Sequence, residues 1–498
     1  MRYARTLLLL LIFQLLFSSC HLQREERKAS PNVLFFFVDD LRPELRCYGD
    51  TLMHTPNIDR LAGEGVLFRN QFVTVPTCGA SRYSILTGRL PRSRQALSNE
   101  ACRLFIGEAK VHDGPETFIE RLRDHGYYTV GIGKISHYVD GKLYPYLGSP
   151  EGAPPELPHS WDEMLFDAGK WGTGWNAFFG YADGRNRNTR HGQVKPYECA
   201  DVPDEGYPDG LTARLAVRKL KELAGKKQPF FLAVGFFKPH LPFNSPKKYW
   251  DLYEESQIPL TPVPGIPEGV NPASLHNSGE FNSYEAGEEH PSLDHPVSDA
   301  YARRLRHAYY AAVSYTDAQV GKVLTALDSL GLTGNTVVVL WGDHGWHLGD
   351  DRVWGKHTLF EWALRSAFMM RMPGMAQGAV CDKVVSAVDI YPTLMELCGI
   401  EDTLDVDGRS LVPLLHDPAD PGWQEQAFSY YRHGISMRTE RYRLTRYYRQ
   451  AQPVIELYDH LTDPYETRNL AMEQTEVTDS LMKLWEQGNT GLYRDAGN

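Results

Sequence analysis

The sequence lacks the basic excess that nucleic-acid binding needs. Lysine and arginine number 52 against 63 aspartates and glutamates, which gives a formal net charge of −11. Nonspecific binding to nucleic acid depends on a basic surface, so we expect no nucleic-acid partner. An anionic substrate is not excluded, because a local basic pocket can lie on an acidic protein.

Cysteine is also scarce. The 498 residues include 7 cysteines at irregular spacing, which predicts neither a disulfide framework nor a set of zinc ligands. If one disulfide forms, Cys381 and Cys398 are the least distant pair in the sequence.

Apolar runs long enough to cross a membrane are absent beyond the N-terminus. Arg2 and Arg5 precede an apolar run over residues 7–17, which is too short to span a bilayer comfortably and is typical of an export signal. Cys20 follows small residues and resembles the cysteine that is lipidated in bacterial lipoproteins.

Two interpretations of this N-terminus lead to the same compartment. The first is a signal peptide over residues 1–20, a lipid anchor on Cys20 and a polar tether over residues 21–30. The second is ordinary secretion with Cys20 near or beyond the cleavage site. Both predict an exported protein in the periplasm or at the cell surface.

The length and the 42% of hydrophobic residues suffice for a large α/β domain and a smaller one. Helical patterns separate four apolar runs that predict buried strands, which indicates a mixed or mostly parallel sheet with helices on both faces. The predicted strands cover residues 33–38, 126–133, 230–237 and 336–341, and the helices cover residues 118–125, 211–224 and 303–330.

Two stretches, residues 143–208 and 259–296, are aperiodic and rich in glycine, proline and aromatics, and we interpret them as long surface insertions. From residue 411 short β-like stretches precede a final helix. We therefore predict a catalytic domain over residues 31–410 and a C-terminal α+β subdomain with a short antiparallel sheet over residues 411–498.

Charged side chains follow each of the four predicted strands. Asp39 and Asp40 come after the first, Lys134 after the second, His240 after the third and Asp343 after the fourth. Open α/β sheets bind ligands at the carboxyl ends of their strands. The sequence therefore predicts that these side chains converge on one site.

The pentapeptide from Cys78 to Arg82 leads into a helical pattern that begins at Ala80 and stops at Gly88, which places Cys78 at the helix start. Free N–H groups at a helix start favour an anion, and Arg82 lies one turn beyond Cys78. The residues alone leave two interpretations open, a buried structural cysteine or a thiolate nucleophile with a lowered pKa.

This segment resembles the signature of the sulfatase family, a Cys-x-Pro/Ala-x-Arg pentapeptide followed by Thr-Gly-Arg. The resemblance continues at residues 31–41, 54–62, 133–137, 342–345, 456–459 and 463–470. It implies an alkaline-phosphatase-like fold and hydrolysis of sulfate esters. It also implies that a sulfatase-maturing enzyme oxidises Cys78 to 3-oxoalanine (formylglycine). One hydroxyl of the aldehyde hydrate attacks sulfur in this family, and the other helps to expel sulfate.

The same resemblance implies one bound Ca²⁺. Its ligands are Asp39, Asp40, Asp343 and the modified Cys78, a set of hard oxygen donors that suits Ca²⁺ or Mg²⁺. The fifth candidate ligand is His344. Most members have asparagine at this position after the last aspartate, whereas the iduronate-2-sulfatase branch has histidine, and imidazole is an unusual ligand of calcium.

A cluster of cations completes the expected site. The resemblance implies that Arg82 holds the aldehyde hydrate and that the remaining groups surround the sulfate, where they stabilise charge and supply a proton. Those groups are Lys134, His137, His240 and Lys356. We assign the leaving-group acid to His240, with His137 and Lys356 as competitors, and leave His347 and His357 outside the site.

The strand that ends in Lys238-Pro239-His240 and residues 309–321 also resemble the iduronate-2-sulfatase branch, which implies a sulfated uronate or a related sugar of a polysaccharide such as a glycosaminoglycan. Side chains of the first insertion either bind such a saccharide or serve the loop itself; they are Trp161, Trp171, Trp175, Tyr181, Arg185, Arg187 and Arg190. A phosphodiesterase or phosphonate hydrolase of the same superfamily and a noncatalytic carbohydrate-binding protein are the alternatives.

Overall fold

The computed structural model describes residues 30–107 and 114–493. The predicted signal peptide, Cys20 and nearly all of the tether lie outside these ranges. Within them, no helix is both long and apolar enough to cross a membrane.

The described residues form sixteen strands and twelve α-helices. The strands are β1 (Asn32–Val38), β2 (Val66–Phe72), β3 (Tyr128–Gly133), β4 (Glu163–Leu165), β5 (Tyr197–Ala200), β6 (Phe230–Phe236), β7 (Phe243–Pro246), β8 (Thr336–Gly342), β9 (His347–Leu348), β10 (Trp354–Gly355), β11 (Phe368–Arg371), β12 (Ala379–Ser386), β13 (Ala427–Tyr431), β14 (Gly434–Arg438), β15 (Tyr442–Tyr447) and β16 (Ile455–Asp459). The helices are α1 (Pro56–Gly63), α2 (Cys78–Thr87), α3 (Phe118–Asp124), α4 (Gly174–Phe178), α5 (Pro208–Leu223), α6 (Lys247–Trp250), α7 (Gly279–Asn282), α8 (Asp299–Ser329), α9 (Glu361–Leu364), α10 (Ile390–Leu397), α11 (Val412–His416) and α12 (Thr475–Gly488).

The main sheet has eight strands in the order β12-β2-β11-β8-β1-β6-β3-β4, which confirms the predicted large mixed sheet. β1 lies between β6 and β8 and is parallel to both. β11 runs antiparallel to its neighbours β8 and β2. Because β1, β3, β6 and β8 point the same way, their carboxyl ends meet at one edge of the sheet.

Alternate residues of β1 belong to two separate cores, because side chains of a strand point to opposite faces. Leu34 and Phe36 lie in the core beneath α5 and α8. Phe35 lies in the core of the other face, where its ring is 6.0 Å from that of Phe118 in α3. Helices therefore cover both faces, as the continuous apolar run of β1 predicts.

Strands β13 to β16 form a separate antiparallel sheet of four strands, and α12 packs against it through the buried Trp485. Arg443 of β15 is buried and bridges two carboxylates, Glu361 of α9 and Glu466. A buried arginine needs such partners, since an unpaired charge in the interior is costly. This contact joins the small sheet to the part of the chain that carries the main sheet.

Four strands of the main sheet were not predicted from the sequence, namely β2, β4, β11 and β12. Their apolar runs are short or interrupted by charge, as at Arg69 in β2. The insertion over residues 143–208 also contributes the edge strand β4. The suggested disulfide is wrong, because Cys381 and Cys398 are both free thiols.

Candidate active site

The strand ends bring the predicted charged residues together. Val38 of β1 is level with Phe236 of β6 and Gly342 of β8, so the residues after these strands emerge side by side. Asp39 and Asp343 follow directly, and both are fully buried. The edge between β6 and β8 is therefore the floor of the site.

Asp40 has an unusual backbone conformation at this floor, with φ of 58°, which few residues other than glycine adopt. Its N–H donates to Asp343 Oδ1 at 2.9 Å, and its carbonyl accepts from the Tyr309 hydroxyl at 2.7 Å. Tyr309 belongs to α8, in the segment that resembles the iduronate-2-sulfatase branch. The hydrogen bond from Tyr309 stabilises the turn that directs Asp40 into the site.

Cys78 is the first residue of α2, two residues earlier than the sequence predicts a helix, and it is buried. Its Sγ lies 3.3 Å from Lys356 Nζ and 3.3 Å from His344 Nε2. Gly79 N donates to Asn99 Oδ1 at 2.9 Å, and a Cβ on Gly79 would lie 2.2 Å from the Asn99 carbonyl oxygen. Only glycine therefore allows this close packing next to Cys78.

Burial raises the pKa of the Cys78 thiol to about 12, and the Asp39 carboxylate adds to this shift. The nearby lysines Lys134 and Lys356 act in the opposite direction but do not overcome it. The thiol is therefore neutral at neutral pH. The hypothesis of a thiolate with a lowered pKa is wrong for the unmodified residue.

Arg82 lies one turn further along α2 and is fully buried. Its Nε donates to Asp343 Oδ2 at 2.8 Å, and its Nη1 donates to the carbonyl of Lys134 at 2.5 Å. Nη2 lies 3.6 Å from Asp39 Oδ1. Arg82 therefore ties α2 to three of the four strand ends.

Two lysines neutralise the remaining acidic charge. Lys134 Nζ donates to Asp39 Oδ2 at 2.5 Å, and Lys356 Nζ donates to Asp40 Oδ1 at 3.0 Å. His344 Nε2 also lies 3.3 Å from Asp40 Oδ1. Lys356, which was predicted from a loop motif, is thus within contact distance of both Asp40 and Cys78.

The two adjacent aspartates differ in their electrostatics. Burial alone would raise the pKa of Asp39, but Lys134, His240 and Arg82 hold it well below its usual range. For Asp40 burial prevails and raises the pKa well above its usual range, although Lys356 and His344 oppose the shift.

The donor set fits a hard divalent cation. Asp39 Oδ1 and Asp40 Oδ2 are buried and have no hydrogen-bond partner within residues 30–107 and 114–493. Ligand atoms of Asp39, Cys78, Asp343 and His344 lie within 4.8 Å of one another. A cation next to the free oxygens would favour the charged form of Asp40. The carboxylates suit Ca²⁺ or Mg²⁺, and the imidazole of His344 is the less usual donor.

His240 follows β6 and is buried between donors and acceptors. Its Nδ1 is 2.5 Å from the Leu241 carbonyl, and its Nε2 is 3.0 Å from Glu280 Oε1. Burial lowers the pKa of His240 to about 4, and Lys356 contributes to this shift. Neighbouring Lys238 does not enter the site, since its Nζ donates to the carbonyls of His240 and Pro242.

His137 occupies the loop after β3, and its Nδ1 is buried without a hydrogen-bond partner in the described parts of the chain. Burial lowers its pKa well below the usual range, and Lys134 adds to the effect. Its ring lies 5.4 Å from that of Trp175. His137 thus lies between the cationic cluster and the first insertion.

Glu280 of α7 is a site residue that the sequence did not reveal. Its Oε1 lies 3.0 Å from His240 Nε2 and 3.3 Å from Lys356 Nζ. It comes from the aperiodic insertion over residues 259–296, where no motif or periodicity marks it. The second insertion therefore contributes a charge to the site.

The insertion aromatics mainly anchor their own loops. Trp171, Trp175 and Tyr181 are buried, and Trp161 packs on Phe231 with ring centroids 6.2 Å apart. Among the aromatic residues of the first insertion, Tyr146 is exposed and keeps 43% of its surface accessible.

A cavity of about 630 Å³ opens beside His137. Tyr144, Pro145, Tyr146 and Trp175 are among its lining residues. The first insertion therefore provides a partly apolar wall next to the cationic cluster.

Two further histidines have structural contacts. His347 Nε2 lies 2.7 Å from Thr358 Oγ1, and the ring of His357 stacks on Tyr431. These contacts agree with leaving both residues outside the site.

The arrangement suits displacement at an anionic ester. The buried side chain of Cys78 at a helix start faces a lysine and a histidine. It lies beside three carboxylates, two of which present an oxygen without a hydrogen-bond partner in the described residues. Fixed positive charge in a site with little water stabilises an anionic substrate and the charge that develops as the ester bond breaks.

The chain matches two family profiles and several known proteins. Residues 31–400 match the family profile described as Sulfatase, and residues 342–490 match the profile of the C-terminal region of N-sulphoglucosamine sulphohydrolase. The chain is 33% identical over 419 residues to the iduronate 2-sulfatase of Mus musculus, which covers 77% of this chain and 71% of the relative. It is 28% identical to a sulfatase of Formosa agariphila, over 90% of this chain and 84% of the relative.

Solved structures share the fold. One is a protein in complex with its substrate D-glucosamine-2-N,6-O-disulfate, with a TM-score of 0.70 and 21% identity over 94% of this chain and 99% of that one. Another is the phosphonate monoester hydrolase of Agrobacterium radiobacter, with a TM-score of 0.71 and 22% identity over 92% of this chain and 96% of that one. The predicted alkaline-phosphatase-like architecture is therefore confirmed.

The raised pKa of Cys78 leads to a test on protein whose Cys78 is unmodified. At pH 8 only about a ten-thousandth of a thiol with a pKa of about 12 is ionised. We expect iodoacetamide to alkylate the exposed Cys199 at least 100-fold faster than Cys78, as followed by peptide mass spectrometry over time. Rapid alkylation of Cys78 at this pH would restore the thiolate hypothesis.

Proposed function

The chain belongs to the sulfatase family, and from this premise we propose that it hydrolyses sulfate esters on a uronate or related sugar of a sulfated polysaccharide. The nucleophile is the formylglycine hydrate made from Cys78 by a sulfatase-maturing enzyme. The iduronate 2-sulfatases among its relatives support this substrate class, since the match spans 77% of the chain.

The observation that carries the proposal is the position of Cys78. Its Sγ lies 3.3 Å from both Lys356 Nζ and His344 Nε2, so a group attached there can reach an anionic ester that these residues hold. The neutral buried thiol is itself a poor nucleophile. Oxidation to the aldehyde would supply an oxygen nucleophile at the same place.

The residues of the chain divide the remaining work. Lys134 and Lys356 hold the negative sulfate, and Arg82 fixes α2 against the strand ends. His240 supplies the proton to the leaving sugar oxygen. A bound sulfate brings negative charge close to His240, which raises the pKa of its imidazole from the low value of the empty site.

The proposed metal is Ca²⁺, which Asp39, Asp40, Asp343 and the modified Cys78 would hold, with His344 as a further candidate ligand. When bound, the cation supplies positive charge to the sulfate oxygens and to the nucleophile. The free buried oxygens of Asp39 and Asp40 support its presence.

A saccharide fits the surroundings of the site. The cavity beside His137 measures about 630 Å³ and has aromatic walls from Tyr144, Tyr146 and Trp175. Binding sites of this size and character suit a ligand with apolar ring faces and a few polar groups. Sugar rings have both features.

Cys78→Ala tests the proposed nucleophile in protein matured in its native host. We expect sulfate release from sulfated oligosaccharides to fall at least about 10³-fold, because the nucleophile is lost. Ion chromatography of free sulfate measures the rate, and Cys199→Ala, which removes an exposed thiol, is the matched control. Peptide mass analysis should show the aldehyde at position 78 of the wild type.

Full activity with unmodified Cys78 would contradict the mechanism. An aryl phosphonate or phosphodiester that is cleaved faster than the matching aryl sulfate would favour the phosphonate hydrolase alternative instead. Sulfated sugars that bind without sulfate release would favour a carbohydrate-binding protein.

Calcium removal tests the metal independently of activity. We expect chelation to lower the melting temperature of the wild type by a few degrees and Ca²⁺ to restore it, because a ligand that binds only the folded state stabilises it. Asp40→Asn should remove this response. Asp382→Asn, which changes an exposed carboxylate paired with Arg69, should retain it. The proposed metal site is wrong if elemental analysis finds no bound metal and chelation leaves the melting temperature unchanged.

We also propose export and lipid anchoring through Cys20. In a bacterial host, labelled fatty acid should be incorporated into the full-length protein, which should fractionate with membranes facing the periplasm or cell surface. Cys20→Ala should remove the label and release the protein into the soluble periplasmic fraction. If the wild type is exported but remains unlabelled and soluble, it is secreted without a lipid anchor. If it stays in the cytoplasm, both the export and the anchoring proposals are wrong.

A further inference from the structure

Of the three arginines in the first insertion, one is held rigidly. Arg185 is half exposed and pairs with Asp183, and Arg190 is exposed. The Arg187 guanidinium, by contrast, lies 3.7 Å from the centroid of the Phe179 ring and 5.2 Å from that of Tyr284. Cation–π contacts of this kind fix a guanidinium without neutralising it.

The hydrogen bonds of Arg187 go to neutral groups. Its Nη1 donates to Ser283 Oγ at 3.1 Å, and its backbone N–H donates to the Phe179 carbonyl at 3.2 Å. Across residues 30–107 and 114–493 none of the ion pairs involves Arg187. Most other arginines close to the site bind carboxylates, as Arg82 binds Asp343. Arg187 therefore keeps its charge for a ligand.

Arg187 also lies close to the catalytic groups. The Phe179 ring beneath it is 6.4 Å from the ring of His240. Ser283, which accepts its hydrogen bond, directly follows α7, whose Glu280 contacts both His240 and Lys356. A guanidinium in this place is separated from the leaving-group acid by one aromatic ring.

Tyr146 marks the same region from the cavity side. Burial raises the pKa of its phenol, while the charges of Lys134 and Arg187 oppose this shift. The two cations therefore act on one partly exposed side chain that lines the cavity beside His137. Lys134 belongs to the sulfate cluster, whereas Arg187 lies outside it.

We propose that Arg187 binds a second anionic group, a carboxylate or another sulfate, on the sugar whose sulfate ester is cleaved. This inference rests on the proposed function and makes its substrate class narrower. The planar guanidinium can donate two parallel hydrogen bonds to either group. Phe179 and Tyr284 fix its plane before the ligand arrives, which lowers the entropy cost of binding.

The test compares substrates that differ only in the second anion. They are a 2-O-sulfated uronate disaccharide and its carboxyl-reduced form, a 6-O-sulfated glucosamine with and without its N-sulfate, and 4-nitrophenyl sulfate. For the substrate with the recognised anion we expect Arg187→Gln to lower kcat/KM about 10- to 100-fold, mostly through KM, since a hydrogen bond to a charged group is lost. The loss on 4-nitrophenyl sulfate should be at least ten times smaller.

The two sources of the anion are separated by the same experiment. If the carboxylate is recognised, wild type should lose a similar factor on the carboxyl-reduced disaccharide, and Arg187→Gln should cause no further loss there. If the second sulfate is recognised, the same pattern should follow the N-sulfate. Arg187→Lys keeps the charge but not the forked pair of donors. Its kcat/KM on the recognised substrate should lie between those of the wild type and Arg187→Gln.

Arg185→Gln is the matched control, since it removes an exposed arginine two residues away, and it should leave all rates unchanged. An equal loss on every substrate would show a structural role for Arg187 and overturn the inference. Wild type that does not distinguish the paired sugars would overturn it even if the variants fail to fold. Failure to cleave any sulfated sugar, with 4-nitrophenyl sulfate still cleaved, would overturn the proposed function together with the inference.

Discussion

The site depends on the pairing of buried opposite charges where the central strands end. Asp39, Asp40 and Asp343 lie without access to solvent, and Arg82, Lys134 and Lys356 bind them. Burying one such carboxylate alone would cost several kcal/mol or force it to take up a proton. The cluster persists because each charge has a partner from a different strand or loop, so the whole edge must assemble as a unit.

This pairing does not provide a hydrogen-bond partner for every carboxylate oxygen. The three cations bind the carboxylates, yet Asp39 Oδ1 and Asp40 Oδ2 have no hydrogen-bond partner in the described parts of the chain. The raised pKa of Asp40 expresses the same imbalance. A divalent cation next to the two free oxygens would give them a partner and favour the charged form of Asp40. The electrostatics of the strand ends therefore accounts for a metal in a site that must also attract an anion.

The sequence predicted this part well because its signals are local. A strand buried on both faces appears as an apolar run, and the residue after such a run must lie at the sheet edge. Asp39, Lys134, His240 and Asp343 were found in this way, and β1, β3, β6 and β8 were confirmed. Cys78 and Lys356 came from motifs, and periodicity alone would have left Cys78 ambiguous. The pKa of its thiol depends on burial by the assembled strands, which no local pattern contains.

The sequence predicted less where contacts are distant and the chain is irregular. β2 is interrupted by Arg69, and β4 has three residues, so both depend on neighbouring strands for their structure. Glu280 and Arg187 belong to different insertions, yet Arg187 reaches Ser283 three residues from Glu280. Three arginines at similar spacing were indistinguishable before the structure showed which of them packs on Phe179.

The two insertions also contain residues that can distinguish between substrates, which the shared core does not. The phosphonate monoester hydrolase shares the fold, and a phosphonate monoester carries one negative charge, as a sulfate monoester does. Cations that bind one anionic group next to a metal therefore cannot by themselves choose between the two esters. The choice of ester and of sugar must depend on groups that contact the rest of the substrate. In this chain both insertions bring a charged residue close to the site. Glu280 contacts His240 and Lys356, and Arg187 is separated from His240 by the ring of Phe179.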